Sequence, residues 1–108
     1  MKVKEIMTKD PITIDVNSDV KEATRLLSYH NIGRLLVIKE ENLVGIVTDG
    51  DLMIEHERET PIKDFMSENL ILINENQTIK EAARILAKHQ ISGLPVVTDQ
   101  KNLVGILT

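Results

Sequence analysis

The heptapeptide NLVGIVT at residues 42–48 decides the fold, because it recurs as NLVGILT at residues 102–108. Outward from it, residues 3–48 align with residues 62–108, with one extra residue in the later loop and 20 identities among 46 positions. Unrelated segments of this length share only a few identities. The chain is therefore an internal duplication, and we place its repeats at residues 1–59 and 60–108.

Each repeat is predicted to have the order β-α-β-β-α. Strands are expected at 12–14, 35–38 and 43–47 in the first repeat, and at 71–73, 94–97 and 103–107 in the second. Capping-box pairs, Asp19 with Glu22 and Thr78 with Glu81, mark the start of a helix after each first strand. Apolar residues then recur at helical spacing, at positions Val20, Ala23, Leu26 and Leu27, and again at Ile79, Ala82, Ile85 and Leu86.

The first repeat is predicted to continue with a helix over 51–58, after which Thr60 is an N-cap and Pro61 the first helical residue. Gly45 and Gly105, inside strands, indicate close backbone packing or a bulge. A repeat of this size buries only about 60% of its surface alone, so the two repeats are expected to pack together about a pseudo-two-fold axis. The fold class is α/β (α+β in some schemes), with mixed sheets packed against helices.

The composition narrows the function classes. The 108 residues are 42% hydrophobic and 28% charged, with a net charge of −4 and no cysteine. No apolar run approaches the length of a membrane span, and a disulfide framework is excluded, so a cytoplasmic protein without a membrane partner is expected. Tyr29 and Phe65 are the only aromatic residues, too few for a base-stacking platform, so no nucleic-acid partner is expected.

The duplicated set of motifs resembles the cystathionine-β-synthase-type (CBS) domain family, and two in tandem resemble a Bateman module. The resemblance rests on a capped helix followed by two signatures, IGRLLV at 32–37 with LVGIVTDGDL at 43–52, and ISGLPVV at 91–97 with LVGILT at 103–108. It implies a non-catalytic regulatory or energy-sensing module. Such a module binds an adenosine-containing ligand (AMP, ADP, ATP or S-adenosylmethionine) in clefts between the repeats and commonly forms a flat homodimer.

The resemblance also implies site residues. Thr48 and Asp51 match the ribose-binding pair, in which a carboxylate accepts hydrogen bonds from the ribose hydroxyls and free amides at the helix start favour phosphate. Arg34 matches a basic phosphate contact. The adenine slot is expected from the second repeat, at Met66, Ile71, Ile91 and Ser92.

A weaker mirror-image site would use Ile12, Ile32 and Met7 for the base and Thr108 for the ribose. Gly93 stands at the position matching Arg34, and the position matching Asp51 would follow Thr108. At most one competent site is therefore expected. The end at Thr108 is interpreted as a shortened gene product, a fragment, or a domain lacking its last helix.

Other interpretations remain open for several residues. Asp51 also suits the start of a helix, Arg34 a surface ion pair, Asp49 a solvated cap, and Met7 and Met66 the core. His30 and His89 are interpreted as cations at helix ends. No catalytic motif and no metal site made by protein groups alone is expected, although magnesium could accompany ATP. The alternative functions are a dimerisation or interaction scaffold with a vestigial nucleotide site and, less favoured, a small nucleotide-dependent enzyme.

Overall fold

A computed structural model describes residues 1–53 and 57–108 and confirms the α/β class with two mixed sheets. In chain order, its strands and helices are β1 Thr8–Lys9, β2 Thr13–Asp15, α1 Val20–His30, β3 Arg34–Lys39, β4 Asn42–Thr48, α2 Asp49–Met53, β5 Ile73–Asn74, α3 Ile79–His89, β6 Leu94–Val97 and β7 Leu103–Leu107. Short 3-10 turns span Val3–Glu5 and Ile62–Asp64. No helix within the described ranges is long and apolar enough to cross a membrane.

The chain folds as two compact units. The first, called the continuous unit, is Ile12–Leu70, and its three-stranded sheet has the order β2-β3-β4. The second, called the split unit, combines Met1–Pro11 with Ile71–Thr108 in a four-stranded sheet of order β1-β7-β6-β5. β2 runs parallel to β3, and β5 runs parallel to β6. The hairpin strands, β3 with β4 and β6 with β7, are antiparallel.

The segment that opens each repeat packs with the other repeat. Val3 is fully buried in the core of the split unit, and its amide donates to the carbonyl of Gln77. Ile62, the aligned residue of the second repeat, is fully buried in the core of the continuous unit, and its amide donates to the carbonyl of Ser18. The division into repeats by sequence and the division into packing units are therefore different divisions of the chain.

The remaining core positions match between the repeats. Ile14, Ala23, Leu35, Val37 and Val47 are buried in the continuous unit. The aligned residues of the second repeat are buried in the split unit: Ile73, Ala82, Leu94, Val96 and Leu107. The predicted apolar face of each helix is thus confirmed at Ala23 and Ala82, each of which packs against its own sheet.

The two predicted capping boxes form to different extents. Thr78 and Glu81 form a complete box, and the Thr78 hydroxyl also lies 3.0 Å from the Glu81 carboxylate. These hydrogen bonds, led by the one from the Thr78 backbone, lower the pKa of Glu81. Asp19 accepts from the Glu22 amide, but Glu22 pairs with Arg25, which lowers the pKa of Glu22. The Thr78 hydroxyl can donate to the Glu81 carboxylate, whereas the carboxylates of Asp19 and Glu22 repel each other. The hydrogen bond from the Asp19 amide back to the Glu22 side chain is therefore not formed.

Several predicted boundaries are wrong. The strands predicted at 12–14 and 71–73 are Thr13–Asp15 and Ile73–Asn74. Pro61 is not the first residue of a helix, because its backbone is extended and it precedes the 3-10 turn without a side-chain cap. The helix predicted over 51–58 is observed over Asp49–Met53, and residues 54–56 of that prediction lie outside the described part of the chain.

The glycines in the hairpin strands combine both predicted roles. The register shifts between Val37 and Ile38 and between Val96 and Val97, so a bulge accompanies each glycine. A β-carbon on Gly45 would lie 2.7 Å from the Met66 sulfur, and one on Gly105 would lie 2.6 Å from the Met7 sulfur. Glycine is therefore required where the opening segment of the other repeat crosses the hairpin.

The β3–β4 hairpin turns through Glu40 and Glu41, and both residues have positive φ, at 49° and 72°. Two consecutive residues with positive φ favour asparagine and glycine, because an ordinary residue in the left-handed region costs about 1–2 kcal/mol. Glu41→Gly is expected to raise the free energy of unfolding by about 0.5–1 kcal/mol, since relieved strain exceeds the added unfolded-chain entropy. Urea unfolding measures it. Glu41→Ala removes the same charge but keeps the strain, so an equal gain in that variant would contradict the explanation.

Candidate functional site

The residues predicted to bind ribose meet at the end of β4. The Thr48 amide donates to Asp51 Oδ2 at 2.8 Å, and the Asp51 amide donates to Thr48 Oγ1 at 3.2 Å. Both residues are half-buried. This reciprocal pair places Thr48 as the cap of α2 and explains why that helix starts before Asp51. The hydrogen bond from the Thr48 amide thereby fixes the position of the Asp51 carboxylate.

Arg34 lies beside this pair, because it opens β3 and stands opposite Thr48 in the antiparallel ladder. It is half-buried. A planar guanidinium at this place can bind a phosphate or a carboxylate through two parallel hydrogen bonds. Thr48, Asp51 and Arg34 are therefore brought together within the continuous unit, as the sequence predicts.

The expectation of free amides at this helix start is wrong. The Asp49 amide donates to the carbonyl of Gly33 at 2.9 Å, and the Gly50 amide donates to Asp49 Oδ1 at 2.8 Å. With the two bonds between Thr48 and Asp51, four consecutive amides are paired with oxygens of this chain. Two of the four acceptors are the carboxylates of Asp51 and Asp49, and none of these amides is left unpaired for a phosphate.

Met66, predicted as part of the adenine slot, lies in the continuous unit with the ribose residues. It packs half-buried against that unit's core, and its sulfur covers Gly45. The next residue, Ser67, exchanges two 2.9 Å backbone hydrogen bonds with Ile46 of β4. The segment that carries Met66 is thus held along the strand that ends at Thr48.

The other predicted base-slot residues belong to the split unit. Ile71 and Ile91 are half-buried against its core, and Ser92 is exposed. Ser92 takes part in an interaction of its own. The primary set therefore divides into two groups, with four residues in the continuous unit and Ile71, Ile91 and Ser92 in the split unit.

The residues predicted for the mirror-image site divide in the same way. Ile12 and Ile32 are half-buried against the core of the continuous unit. Met7 packs against the core of the split unit over Gly105, and Thr108 is exposed after the end of β7. Gly93, at the position of Arg34, supplies no cation to this group.

Asp49, interpreted as a solvated cap, is exposed and accepts from the Gly50 amide, but its placement beside Gly33 was not predicted. A β-carbon on Gly33 would lie 3.7 Å from Asp49 Oδ2, so this exposed carboxylate is positioned over the residue that precedes Arg34. The signal was the spacing of Gly33 and Asp49 around one hairpin. The proximity of Gly33 and Asp49 can be inferred from this spacing only when the strand register, which places Arg34 opposite Thr48, is known.

The two mixed sheets and the capped helices define a tandem pair of small α/β repeats, the first of which carries the candidate site at the end of β4. The family model of the CBS domain matches residues 3–57 and again residues 62–108. The chain therefore belongs to the CBS domain family and carries a tandem CBS pair, a Bateman module.

Known relatives agree with this assignment. The CBS domain-containing protein YhcV of Bacillus subtilis is 36% identical over 97% of this chain and 78% of its own length. The CBS domain pair of protein MJ0100, solved in complex with 5′-methylthioadenosine and S-adenosyl-L-methionine, is 36% identical, with a TM-score of 0.90 over 100% of this chain and 89% of that one. The structure of CBSX2 in complex with AMP is 28% identical, with a TM-score of 0.87 over 99% and 89% of the two chains.

Other relatives are much longer. An inosine-5′-monophosphate dehydrogenase of Korarchaeum cryptofilum is 35% identical over 99% of this chain, which spans 22% of that enzyme. Among the described residues of this chain, no group of three or more His, Cys, Asp or Glu side chains is placed to hold a metal ion.

Proposed function

We propose that this chain is a regulatory module that binds an adenosine-containing small molecule and performs no catalysis itself. Within the continuous unit, Asp51 and Thr48 bind the ribose, Arg34 contacts the 5′ substituent, and Met66 contacts the base. The observation that carries the proposal is the Asp51 carboxylate, held by the Thr48 amide at the end of β4. Support comes from the solved CBS pairs that hold 5′-methylthioadenosine, S-adenosylmethionine or AMP.

The chemistry of Asp51 suits this role. A carboxylate has about four acceptor positions, so one that accepts from the Thr48 amide can also accept from hydroxyl groups. Charge-assisted hydrogen bonds from the two ribose hydroxyls are among the stronger neutral-donor contacts available to a protein. A ligand bound in this way regulates by favouring one arrangement of the module over another, which requires different affinities for the two arrangements.

Thermal unfolding with AMP, ADP, ATP and S-adenosylmethionine tests the proposal. A ligand at 100 times its dissociation constant adds about 2.7 kcal/mol, so a rise in Tm of more than about 8 °C is expected with at least one compound. Asp51→Asn keeps an acceptor for the Thr48 amide but loses the charge, and is expected to abolish the rise. Asp19→Asn is the matched control, because the Asp19 carboxylate also accepts a hydrogen bond from a backbone amide at a helix start. No rise with any compound would contradict the proposal.

The second candidate is a dimerisation scaffold with a vestigial site. Two large apolar residues favour it: Tyr29 of α1 is 78% exposed and Met53 of α2 is 86% exposed, on helices that contact each other. Exposed apolar residues on neighbouring helices are typical of an interface. Sedimentation of the chain and of Tyr29→Ser with Met53→Ser distinguishes the candidates. A dimer that the double variant disrupts, without any ligand effect on Tm, would favour the scaffold.

A further inference from the structure

The backbone amides of the turn from β4 into α2 are already paired with oxygens of this chain. The amides of residues 48–51 donate to Asp51, Gly33, Asp49 and Thr48 in that order. A phosphate is bound at a helix start when such amides are unpaired and point at it. Here a phosphate would have to displace the chain's own oxygens, and the amides would gain nothing from the exchange. The turn therefore offers little to a phosphate beyond the charge of Arg34.

The charges around Arg34 oppose a polyphosphate. Asp51 is fixed on the Thr48 amide directly opposite Arg34 in the ladder. The Asp49 carboxylate lies over Gly33, the residue next to Arg34 in sequence. The Asp49 and Asp51 carboxylates thus lie next to the strand position of Arg34, and the three side chains sum to a formal charge of −1. A ribose is only one ring wide, so a 5′ substituent on a ribose bound to Asp51 lies within range of all three charges.

We propose that the site selects an adenosine ligand with a neutral or cationic 5′ substituent over a nucleoside di- or triphosphate, and that Asp49 is the residue that sets this selectivity. The inference rests on the proposed function and narrows its ligand class. Asp51 serves the ribose hydroxyls whatever the 5′ group is, because hydroxyls donate to a carboxylate of any ligand. Asp49 makes no such contribution, so its charge acts on the 5′ substituent alone.

The size of the effect follows from Coulomb's law at a solvated site. A unit charge at about 6 Å contributes roughly 0.7 kcal/mol in water, which is about threefold in affinity, and more at lower effective dielectric. Because a triphosphate carries several charges, we expect ATP to bind at least about tenfold more weakly than 5′-methylthioadenosine. Because salt screens these charges, the difference in affinity between ATP and 5′-methylthioadenosine should be smaller at an ionic strength of about 0.5 M than at low ionic strength.

Isothermal titration of the full chain with 5′-methylthioadenosine, S-adenosylmethionine, AMP and ATP, in EDTA to exclude divalent cations, tests the selectivity. The first two are expected to bind most tightly and ATP most weakly. Asp49→Asn keeps the acceptor for the Gly50 amide and is expected to raise ATP affinity about threefold or more, with 5′-methylthioadenosine unchanged. Glu40→Gln is the matched control, with the same change of net charge about 20 Å from Arg34, in the turn that follows β3.

The outcomes separate the two proposals. ATP binding as tightly as 5′-methylthioadenosine, or an Asp49→Asn variant whose ATP affinity rises no more than that of Glu40→Gln, would overturn the selectivity while leaving the proposed function standing. Failure of all four compounds to bind would overturn the proposed function and the selectivity with it. Tight binding of the uncharged or cationic compounds, with an ATP gain specific to Asp49→Asn, would support both.

Discussion

Ile62→Ala is expected to loosen the continuous unit, and Val3→Ala the split unit. Both side chains are fully buried, and each lies in the core formed mainly by the other repeat. Truncating a buried isoleucine costs about 2–5 kcal/mol, from lost burial and from the cavity left behind. Val3→Ala removes fewer methyl groups and is expected to cost less. Each substitution is therefore expected to destabilise mainly the repeat that does not contain it.

Hydrogen exchange followed by mass spectrometry measures this crossed effect. Ile62→Ala should raise exchange most in α1, β3 and β4, and Val3→Ala should raise it most in α3, β6 and β7. Lys4→Ala and Lys63→Ala are matched controls at aligned, exposed positions, and little change is expected from either. Faster exchange in α1 and β3 on Val3→Ala, with α3 and β6 unchanged, would show that the opening segments pack with their own repeats.

Gly105→Ala is expected to be the most damaging of the conservative glycine substitutions. Its β-carbon would lie 2.6 Å from the Met7 sulfur and 2.8 Å from the backbone oxygen of Thr8. A flexible methionine can move, but Thr8 is paired with Ile106 in the β1–β7 ladder, so its oxygen cannot withdraw without breaking that pairing. A loss of about 1–3 kcal/mol in the free energy of unfolding is expected, because overpacking forces the neighbouring backbone to shift.

Two further glycines calibrate this prediction. Gly45→Ala meets the Met66 sulfur at 2.7 Å but the Ser67 oxygen only at 3.0 Å, so a smaller loss is expected. Gly33→Ala meets nothing closer than 3.7 Å and is expected to be nearly neutral. Urea unfolding of the three variants should give the order Gly105, Gly45, Gly33. A Gly105→Ala variant as stable as Gly33→Ala would contradict the close crossing of β1 over β7.

Local sequence patterns predict much of the fold, because they depend on residues that are close together in the chain. The apolar faces at Ala23 and Ala82 and the caps at Asp19 and Thr78 follow from helical spacing and from side chains that reach amides three residues away. The hairpin strands follow from apolar runs that the repeat shows twice. The start of α2 differs from the prediction because Thr48 caps the helix and Asp51 bonds back to that cap, whereas the predicted helix begins only at residue 51.

What the sequence could not show depends on contacts between distant residues. A duplicated pattern does not indicate which copy the opening segment joins, since Val3 and Ile62 suit either core equally well by size and polarity. The placement of Asp49 beside Arg34 likewise depends on the ladder register and on a bond to the Gly33 carbonyl. The grouping of Thr48, Asp51 and Arg34 was predicted only because the family resemblance carried that register with it.

The crossing of the opening segments has a consequence for biosynthesis. A chain emerging from the ribosome can complete the Ile12–Leu70 unit as soon as residue 70 is available, while Met1–Pro11 must wait for the last strand, Leu103–Leu107, before β1 finds its neighbour. Residues 1–11 are therefore translated long before they acquire their native surroundings. Such long-range closure slows folding, and it leaves residues 1–11 exposed to chaperones and proteases until residues 103–107 have emerged.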